Sequence, residues 1–305
     1  MSEGLETSNC PNSQWIEAMR DVDVAIGRPV IVNIGCNKGF DAIKFYALWS
    51  LPLLPVPNVD VWWHLLKTIK NMNCGACFQC SGQPSAASSN TFRGKQKEEV
   101  PPPLVLCVEP LPINVKVLKE GYTHLKYDEN FPTFEILDLA GSDHADDTVY
   151  LPDTNRVGAE NLGITDEVTN TKVQTTTVDA IFEEYQLKEI DVLSIDTEGY
   201  DPLVLSGASE TLKQRKARYV EFEFHIHGPW KTTSLSSVIE ELDGYGYDCF
   251  WAGAGKGGGM LWPVTGPMNW DTRYDEVRAW SNIACVDRLD QWAAVLEEFV
   301  YDPLI

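Results

Sequence analysis

Basic side chains are scarce in this chain: 24 Lys and Arg face 45 Asp and Glu, a formal net charge of -21. A nucleic-acid surface needs a basic footprint to neutralise phosphates, so this balance argues against DNA or RNA as a partner. Uninterrupted apolar runs are also missing. The richest stretch, ALWSLPLLPVPNVDVWWHLL, is broken by Pro52, Pro55, Pro57 and Asp60 and fails as a membrane span. The opening MSEGLETSNCPNSQW has no basic stretch leading into an apolar run, so no secretory signal is expected. No repeat of solenoid period is present. Gly257 to Gly259 lack the following Lys and Ser or Thr of a phosphate-binding loop, so KGGGMLWPVTGPMNW is expected to be a flexible connection between strands. These absences leave an intracellular, cytoplasmic chain without an integral membrane segment as the expectation, and they leave the identity of any protein partner open.

What is present suffices for a large core: 305 residues, 44% hydrophobic and 10% aromatic. The apolar run VIVNIG stops at Gly35, and after Gly39 the apolar residues take helical spacing, giving strand, turn and helix. Leu104 to Val108 repeats the strand and ends at Glu109, with a helix expected over Ile113 to Glu120. Further strands are expected at Phe134 to Leu139, Thr148 to Leu151, Ile190 to Ile195, Ala217 to Phe224, Tyr247 to Trp251 and Asn282 to Val286. Helices are expected at Thr177 to Tyr185, Pro202 to Gln214, Leu235 to Leu242 and Trp292 to Phe299. Alternating strands and helices predict an α/β fold with a mostly parallel sheet covered on both faces. The reading is one domain over residues 1–305, carrying a cysteine-containing insertion at 50–103 with a short helix near Val61 to Ile69 and a polar loop near Ser81 to Glu99.

In NIGCNKG, Gly35 can take a tight turn and Gly39 lets the next helix approach a ligand without a Cβ clash. The helix start offers backbone N–H groups that suit a carboxylate or phosphate. Glu109, just past the second strand, can accept both hydroxyl hydrogens of a ribose. The glycine spacing is GxxxG, not the dinucleotide GxGxxG, which favours a smaller nucleoside ligand over a pyrophosphate.

VNIGCNKGFD resembles the first motif of class I S-adenosylmethionine-dependent methyltransferases, and LCVEP resembles their ribose-binding second motif. Together with VDVLSIDTEGYDPLVLSGA, TTTVDAIFEEY and RYVEFEFH, these segments are similar to the FkbM family of methyltransferases, in order from Val30 to His225. The resemblance implies a doubly wound, seven-stranded Rossmann-like sheet, mostly parallel with an antiparallel edge strand. It implies S-adenosyl-L-methionine held by Gly35 and its neighbours Cys36, Asn37 and Gly39, with Glu109 on the ribose and Ser142 and Asp143 toward the adenine. It also implies O-methylation, with a small hydroxylated or carbohydrate-related molecule as acceptor. The family has an acidic residue where this chain has Asn33, and a Lys where it has Ser194.

The second constellation is SIDTEGYD, at the expected C-terminal edge of a parallel strand, where such sheets place ligand chemistry. Asp196 and Glu198 are two residues apart and share a side if the strand continues. In EFEFHIHGPW, Glu221, Glu223, His225 and His227 alternate onto one face. Asp196, Glu198 and His225 are the candidate catalytic residues: one orients the acceptor and one takes its proton as the acceptor attacks the methyl in line. Helix capping, ordinary hydrogen bonding, or a divalent metal held with Asp196 are the competing readings. Cys74, Cys77 and Cys80 in CGACFQC have spacing for a structural zinc, with Cys10, His64 or Cys107 as a distant fourth ligand; a redox role or ordinary thiols compete. A disulfide framework is not expected from these cysteines. A noncatalytic nucleoside-binding protein and a nicotinamide oxidoreductase are the alternative functions.

Overall fold

The computed structural model describes residues 14–22, 27–50, 69, 72–73, 103–125, 134–254, 258–278 and 280–301. In chain order the elements are α1 (Gln14–Val22), β1 (Val30–Ile34), α2 (Phe40–Ser50), β2 (Leu104–Val108), α3 (Pro112–Leu125), β3 (Phe134–Leu137), β4 (Ala140–Gly141), β5 (Thr148–Leu151) and β6 (Thr171–Thr176). They continue with α4 (Val178–Glu184), β7 (Ile190–Ile195), α5 (Asp201–Ser206), α6 (Ser209–Lys213), β8 (Ala217–Phe224), α7 (Leu235–Tyr245), β9 (Tyr247–Ala254), β10 (Met260–Pro263), β11 (Ser281–Asp287) and α8 (Gln291–Glu298). Two compact units result. The first is Val24–Ala140 with Thr148–Gln174; the second is Met1–Asp23, Gly141–Asp147 and Thr175–Ile305.

In the first unit, β1, β2 and β3 lie side by side and parallel, with Val30 opposite Leu104 and Val105 opposite Phe134. Parallel strands are covered on both faces, which is why VIVNI and LVLCV are nearly continuous apolar runs and are buried along almost their whole length. Helix α2 packs on β1 and β2, and α3 on β3. The antiparallel pair β5–β6 sets Val149 opposite Val173, and Leu151 and Val173 join Leu111 and Ala140 in a separate small core. A disulfide joins Cys36, just past β1, to Cys107 in β2.

In the second unit the strand order is β10-β9-β11-β8-β7. Strands β7 and β8 are parallel, whereas β8–β11, β11–β9 and β9–β10 are antiparallel. Taken in turn, these pairings make β9 run the same way as β7 and β8 and oppose two strands to them, β11 inside the order and β10 at its end, where a single antiparallel edge strand was expected. Strands β9 and β10 follow one another in the chain and pair antiparallel, which needs no crossover. The seven-stranded arrangement is seen in neither unit alone: one holds three parallel strands and the other five mixed ones. A second disulfide, Cys249–Cys285, bridges directly opposed residues of β9 and β11. Both disulfides depart from the expectation that these cysteines form none. Each sits between elements already hydrogen-bonded as neighbours, a pairing that sequence clustering does not reveal.

The expected helix from Pro202 to Gln214 is two short helices, α5 and α6. At the break, the Gly207 carbonyl accepts the Asp179 N–H at 3.0 Å, and a Cβ on Gly207 would lie 2.1 Å from the Ser142 carbonyl oxygen. The close approach fixes glycine there and diverts its carbonyl from the helix. Helix α1, not foreseen, buries Trp15, Ile16 and Met19, and the Trp15 indole donates to the Tyr219 hydroxyl at 3.0 Å. The helix near Val61 to Ile69 and the loop near Ser81 to Glu99 lie outside the described residues, apart from Ile69 itself. Among the described residues no helix is long and apolar enough to cross a membrane.

Candidate functional site

The glycine turn of the first unit is built by backbone geometry that few residue types accept. Gly35 and Gly39 have φ of 83° and 86°, and Asn37 between them has φ of 52°, the left-handed region that Asn tolerates best among residues with a side chain. The N–H groups of Gly35 and Cys36 both donate to the Val108 carbonyl, at 2.9 and 3.0 Å, locking the turn to the end of β2. The Cys36–Cys107 disulfide fastens the same two segments covalently.

Glu109 follows directly, and it is only 3% exposed. Its carboxylate accepts the Asn37 N–H at 2.6 Å, the Leu111 N–H at 2.9 Å and the Asn114 side-chain amide at 3.1 Å. Burial of a carboxylate is costly, and donors such as these offset it. Lys38, also inside the turn, is 1% exposed, with its ammonium 5.5 Å from the centre of the Phe40 ring. Asn33 is buried in β1 opposite Cys107. Gly35, Cys36, Asn37, Gly39 and Glu109 are thus brought together at the carboxyl ends of β1 and β2.

Ser142 and Asp143, expected on the adenine side, belong to the second unit. Ser142 donates its N–H to the Thr176 carbonyl at 2.9 Å and its hydroxyl to Asp143 at 3.1 Å. Burial works to raise the Asp143 pKa, but hydrogen bonds from His144 and Ser142 outweigh it and hold the carboxyl below its ordinary range. The same contact raises the pKa of the exposed His144.

The second unit also gathers the acid–histidine constellation. Strand β7 ends at Ile195 and the chain turns through Glu198 and Gly199, with φ of 55° and 105°. The turn packs against the end of β8 so closely that a Cβ on Gly199 would lie 2.7 Å from the His227 carbonyl carbon and oxygen. Asp201, fully buried, accepts the Gly199 N–H and the Glu223 N–H, both at 3.2 Å. Burial nevertheless pushes its pKa up to about 6. Glu223 is raised further by burial, then by the charges of Asp201 and Glu198, while hydrogen bonds to Trp280 and Asp196 counteract. The Trp280 indole donates to its Oε1 at 2.7 Å.

His225 completes the group. Its Nδ1 accepts the His227 N–H at 3.1 Å, so in the neutral ring the proton resides on Nε2, which lies 3.9 Å from the Glu223 carboxyl. Burial, then the neighbouring His227, lowers its pKa to about 4, so the ring is neutral around pH 7. The two remaining members of the alternating set divide: Glu221 accepts from Ser194 at 3.2 Å and from the Tyr219 hydroxyl at 3.0 Å, while His227 is exposed.

Cys74, Cys77 and Cys80, the candidate zinc ligands, lie outside the described residues, as do Cys10 and His64. Cys107 is corrected as a fourth ligand because its sulfur is bonded to Cys36. Among the described residues no group of three or more His, Cys, Asp or Glu could hold a metal ion, so the alternative of a divalent metal held with Asp196 does not find a ligand set.

The model of the Methyltransferase FkbM domain matches residues 73–249, more than half of the 305-residue chain. The chain belongs to this family. Comparison with curated proteins and with solved structures finds no match. The family match takes in Glu109, Ser142, Asp143 and the acid–histidine group; the glycine turn lies upstream of it, so its assignment rests on the geometry above. The residues that sequence reasoning passed over are Asn114, Gly158 and Trp280. Asn114 sits in the first turn of α3, where a polar residue reads as a helix-start solvator. Trp280 is 57 positions from its partner Glu223, a separation that no local pattern bridges.

Proposed function

We propose that this methyltransferase-family chain is an enzyme that transfers the methyl group of S-adenosyl-L-methionine to a hydroxyl oxygen of a small hydroxylated or carbohydrate-related acceptor. The observation that carries the cofactor reading is the Asn37 N–H to Glu109 contact at 2.6 Å, which binds a left-handed glycine turn to a buried carboxylate at the ends of two parallel strands. That donor and acceptor set fits the group. Gly35 to Gly39 give the close backbone approach that its amino-acid portion needs, and Glu109 is the acceptor for ribose hydroxyls. Ser142 and Asp143 are assigned to the adenine side.

When bound, S-adenosylmethionine supplies an electrophilic methyl on a sulfonium. Bound between Gly35–Gly39 and Glu109, it would give that methyl to the acceptor oxygen and leave as S-adenosylhomocysteine, so the task left to this chain's own residues is to orient the acceptor hydroxyl and take its proton. We assign the handling of that hydroxyl to the Asp196 loop. Asp196 orients the hydroxyl and takes its proton, Glu198 sets the loop, and neutral His225 packs beside the Glu223 carboxyl, its Nε2 at 3.9 Å and outside hydrogen-bond reach. With Nδ1 already accepting the His227 N–H, His225 suits positioning better than proton removal.

Calorimetric titration of the purified chain with S-adenosylmethionine, S-adenosylhomocysteine and NAD tests the cofactor assignment. Binding of the first two without NAD is expected; NAD binding alone would sink it. A screen of hydroxylated acceptors with methyl-labelled cofactor then tests transfer, and cofactor binding with no acceptor methylated across sugars, polyols and phenols would point to a noncatalytic binding protein.

A further inference from the structure

The side chain of Asn114 has no part in the reading above, yet it is 1% exposed and makes contacts to three separate segments of the first unit. Its Nδ2 donates to Glu109 Oε1 at 3.1 Å and to Asn37 Oδ1 at 3.4 Å, and its Oδ1 accepts the Gly158 N–H at 2.9 Å. Glu109 in turn holds the Asn37 N–H. Gly158 has φ of 66°, and a Cβ there would lie 2.8 Å from Lys38 Cδ and 3.3 Å from its ammonium, so the loop carrying Gly158 lies directly over the lysine of the glycine turn. Asn114 therefore sits at the junction of the strand-end carboxylate, the turn and the loop that covers Lys38.

We infer that Asn114 is a positioning residue for the cofactor: its amide fixes the Glu109 carboxylate against the glycine turn and anchors the Gly158 loop over Lys38. This rests on the cofactor reading proposed above. The chemistry of the junction selects an amide. A carboxylate on one side requires a donor and a backbone N–H on the other requires an acceptor, both within reach of one short side chain. Aspartate keeps the acceptor but sets a second carboxylate against Glu109. Alanine removes both contacts and leaves the buried Gly158 N–H without its acceptor. The same two neighbours also fix the orientation of the amide, since the reverse assignment would point donors at a donor and an oxygen at a carboxylate.

The test is calorimetric titration of the full chain with S-adenosylhomocysteine, for the wild type and for Asn114→Asp, Asn114→Ser and Asn114→Ala, with thermal unfolding of each. Asn114→Asp is nearly isosteric and keeps the Gly158 contact, so it carries the test if the smaller side chains fail to fold; Asn114→Ser does so if Asn114→Asp fails. The expected result is that Asn114→Asp binds roughly ten- to a hundredfold more weakly than wild type near neutral pH. Its affinity should recover by several-fold on acidification, as one proton comes to be shared between the two carboxyls. A purely structural role would lower the unfolding temperature without giving the variant a pH profile different from wild type. Wild-type binding with all folded variants within about twofold, or an Asn114→Asp profile parallel to wild type, overturns the inference alone. No binding by the wild type overturns the cofactor reading and the inference with it.

Discussion

Glu109 in the first unit and Glu223 in the second are both acidic side chains at strand ends, but their surroundings differ in kind. Around Glu109 the protein supplies N–H donors: two from the backbone and one from an amide. Around Glu223 it supplies other acids, Asp196, Glu198 and Asp201, with one indole donor among them. Donors stabilise the charged form, whereas crowded carboxyls in a buried place keep protons at higher pH than they would in water. The first arrangement suits a fixed acceptor for ligand hydroxyls. The second suits a group that holds and yields protons. Burial is common to both, so it is the sign of the neighbours that separates a binding carboxylate from a proton-carrying one.

The sharpest way to break this comparison is Glu109→Ala. Three donors would lose their acceptor in a nearly closed place, at about 1–3 kcal/mol each if unsolvated, and partial relaxation leaves an expected loss of about 4–5 kcal/mol in stability. Affinity for S-adenosylhomocysteine should fall more than about a hundredfold. Urea unfolding and calorimetry read the two effects separately, and a stable variant with wild-type affinity would show that the donors around Glu109 do not serve ligand binding. Next in size is Gly199→Ala in the other region. The added Cβ would meet the His227 backbone at 2.7 Å in a residue whose φ is 105°, so either the β7–α5 turn or the end of β8 must move. A loss of about 3–4 kcal/mol is expected in urea unfolding, with S-adenosylhomocysteine affinity changed by less than about threefold. A loss below about 0.5 kcal/mol would show that the turn gives way freely.

The same comparison explains what could be read in advance. Strands β1, β2, β7 and β8 were legible because apolar residues dominate each short segment, as a covered strand requires, and each stops at a glycine, an acid or a histidine. Gly35, Gly39, Glu109, Asp196 and Glu198 follow from those endings. Helix α1 and strands β6 and β10 were missed for a different reason. TKVQTT has only one strongly apolar residue, and MLWP follows a triple glycine that reads as a breaker, so neither announces a strand by itself; each takes its strand state from the partner it pairs with, β5 and β9 respectively. The division of Pro202 to Gln214 into two helices depends on Ser142 approaching Gly207, again a tertiary contact. In the sites, residue types were visible but ionisation was not. The alternating Glu and His of β8 suggested a histidine base near neutrality, whereas burial and the bond from the His227 N–H leave His225 neutral with its Nδ1 occupied. Asn114 and Trp280 gave no signal, since an amide and an indole acquire their roles only from what the fold places beside them.

The smallest effect of a single group is expected from pH, where Asp201 and His225 of the second unit oppose one another while Glu223 adds to the Asp201 side. Asp201 rises from its ordinary 3.8 to about 6 on folding. Its contribution to stability is thus fully present below pH 3.8 and is lost as the pH rises through 6. His225 falls from 6.5 to about 4, so its contribution is present above pH 6.5 and is lost as the pH falls through 4. Each shift corresponds to at most about 3.5 kcal/mol, and between pH 4 and 6 the two slopes have opposite sign. Single variants should separate them in urea unfolding measured across that window. Relative to wild type, Asp201→Asn should gain stability as the pH rises from 4 to 6, and it should do so more steeply than its own shift dictates, because Glu223 also loses a repelling neighbour. His225→Gln should lose stability relative to wild type over the same interval. Parallel slopes for the two variants would mean that the carboxyls around Glu223 and the neutral histidine are not set against each other as the geometry places them.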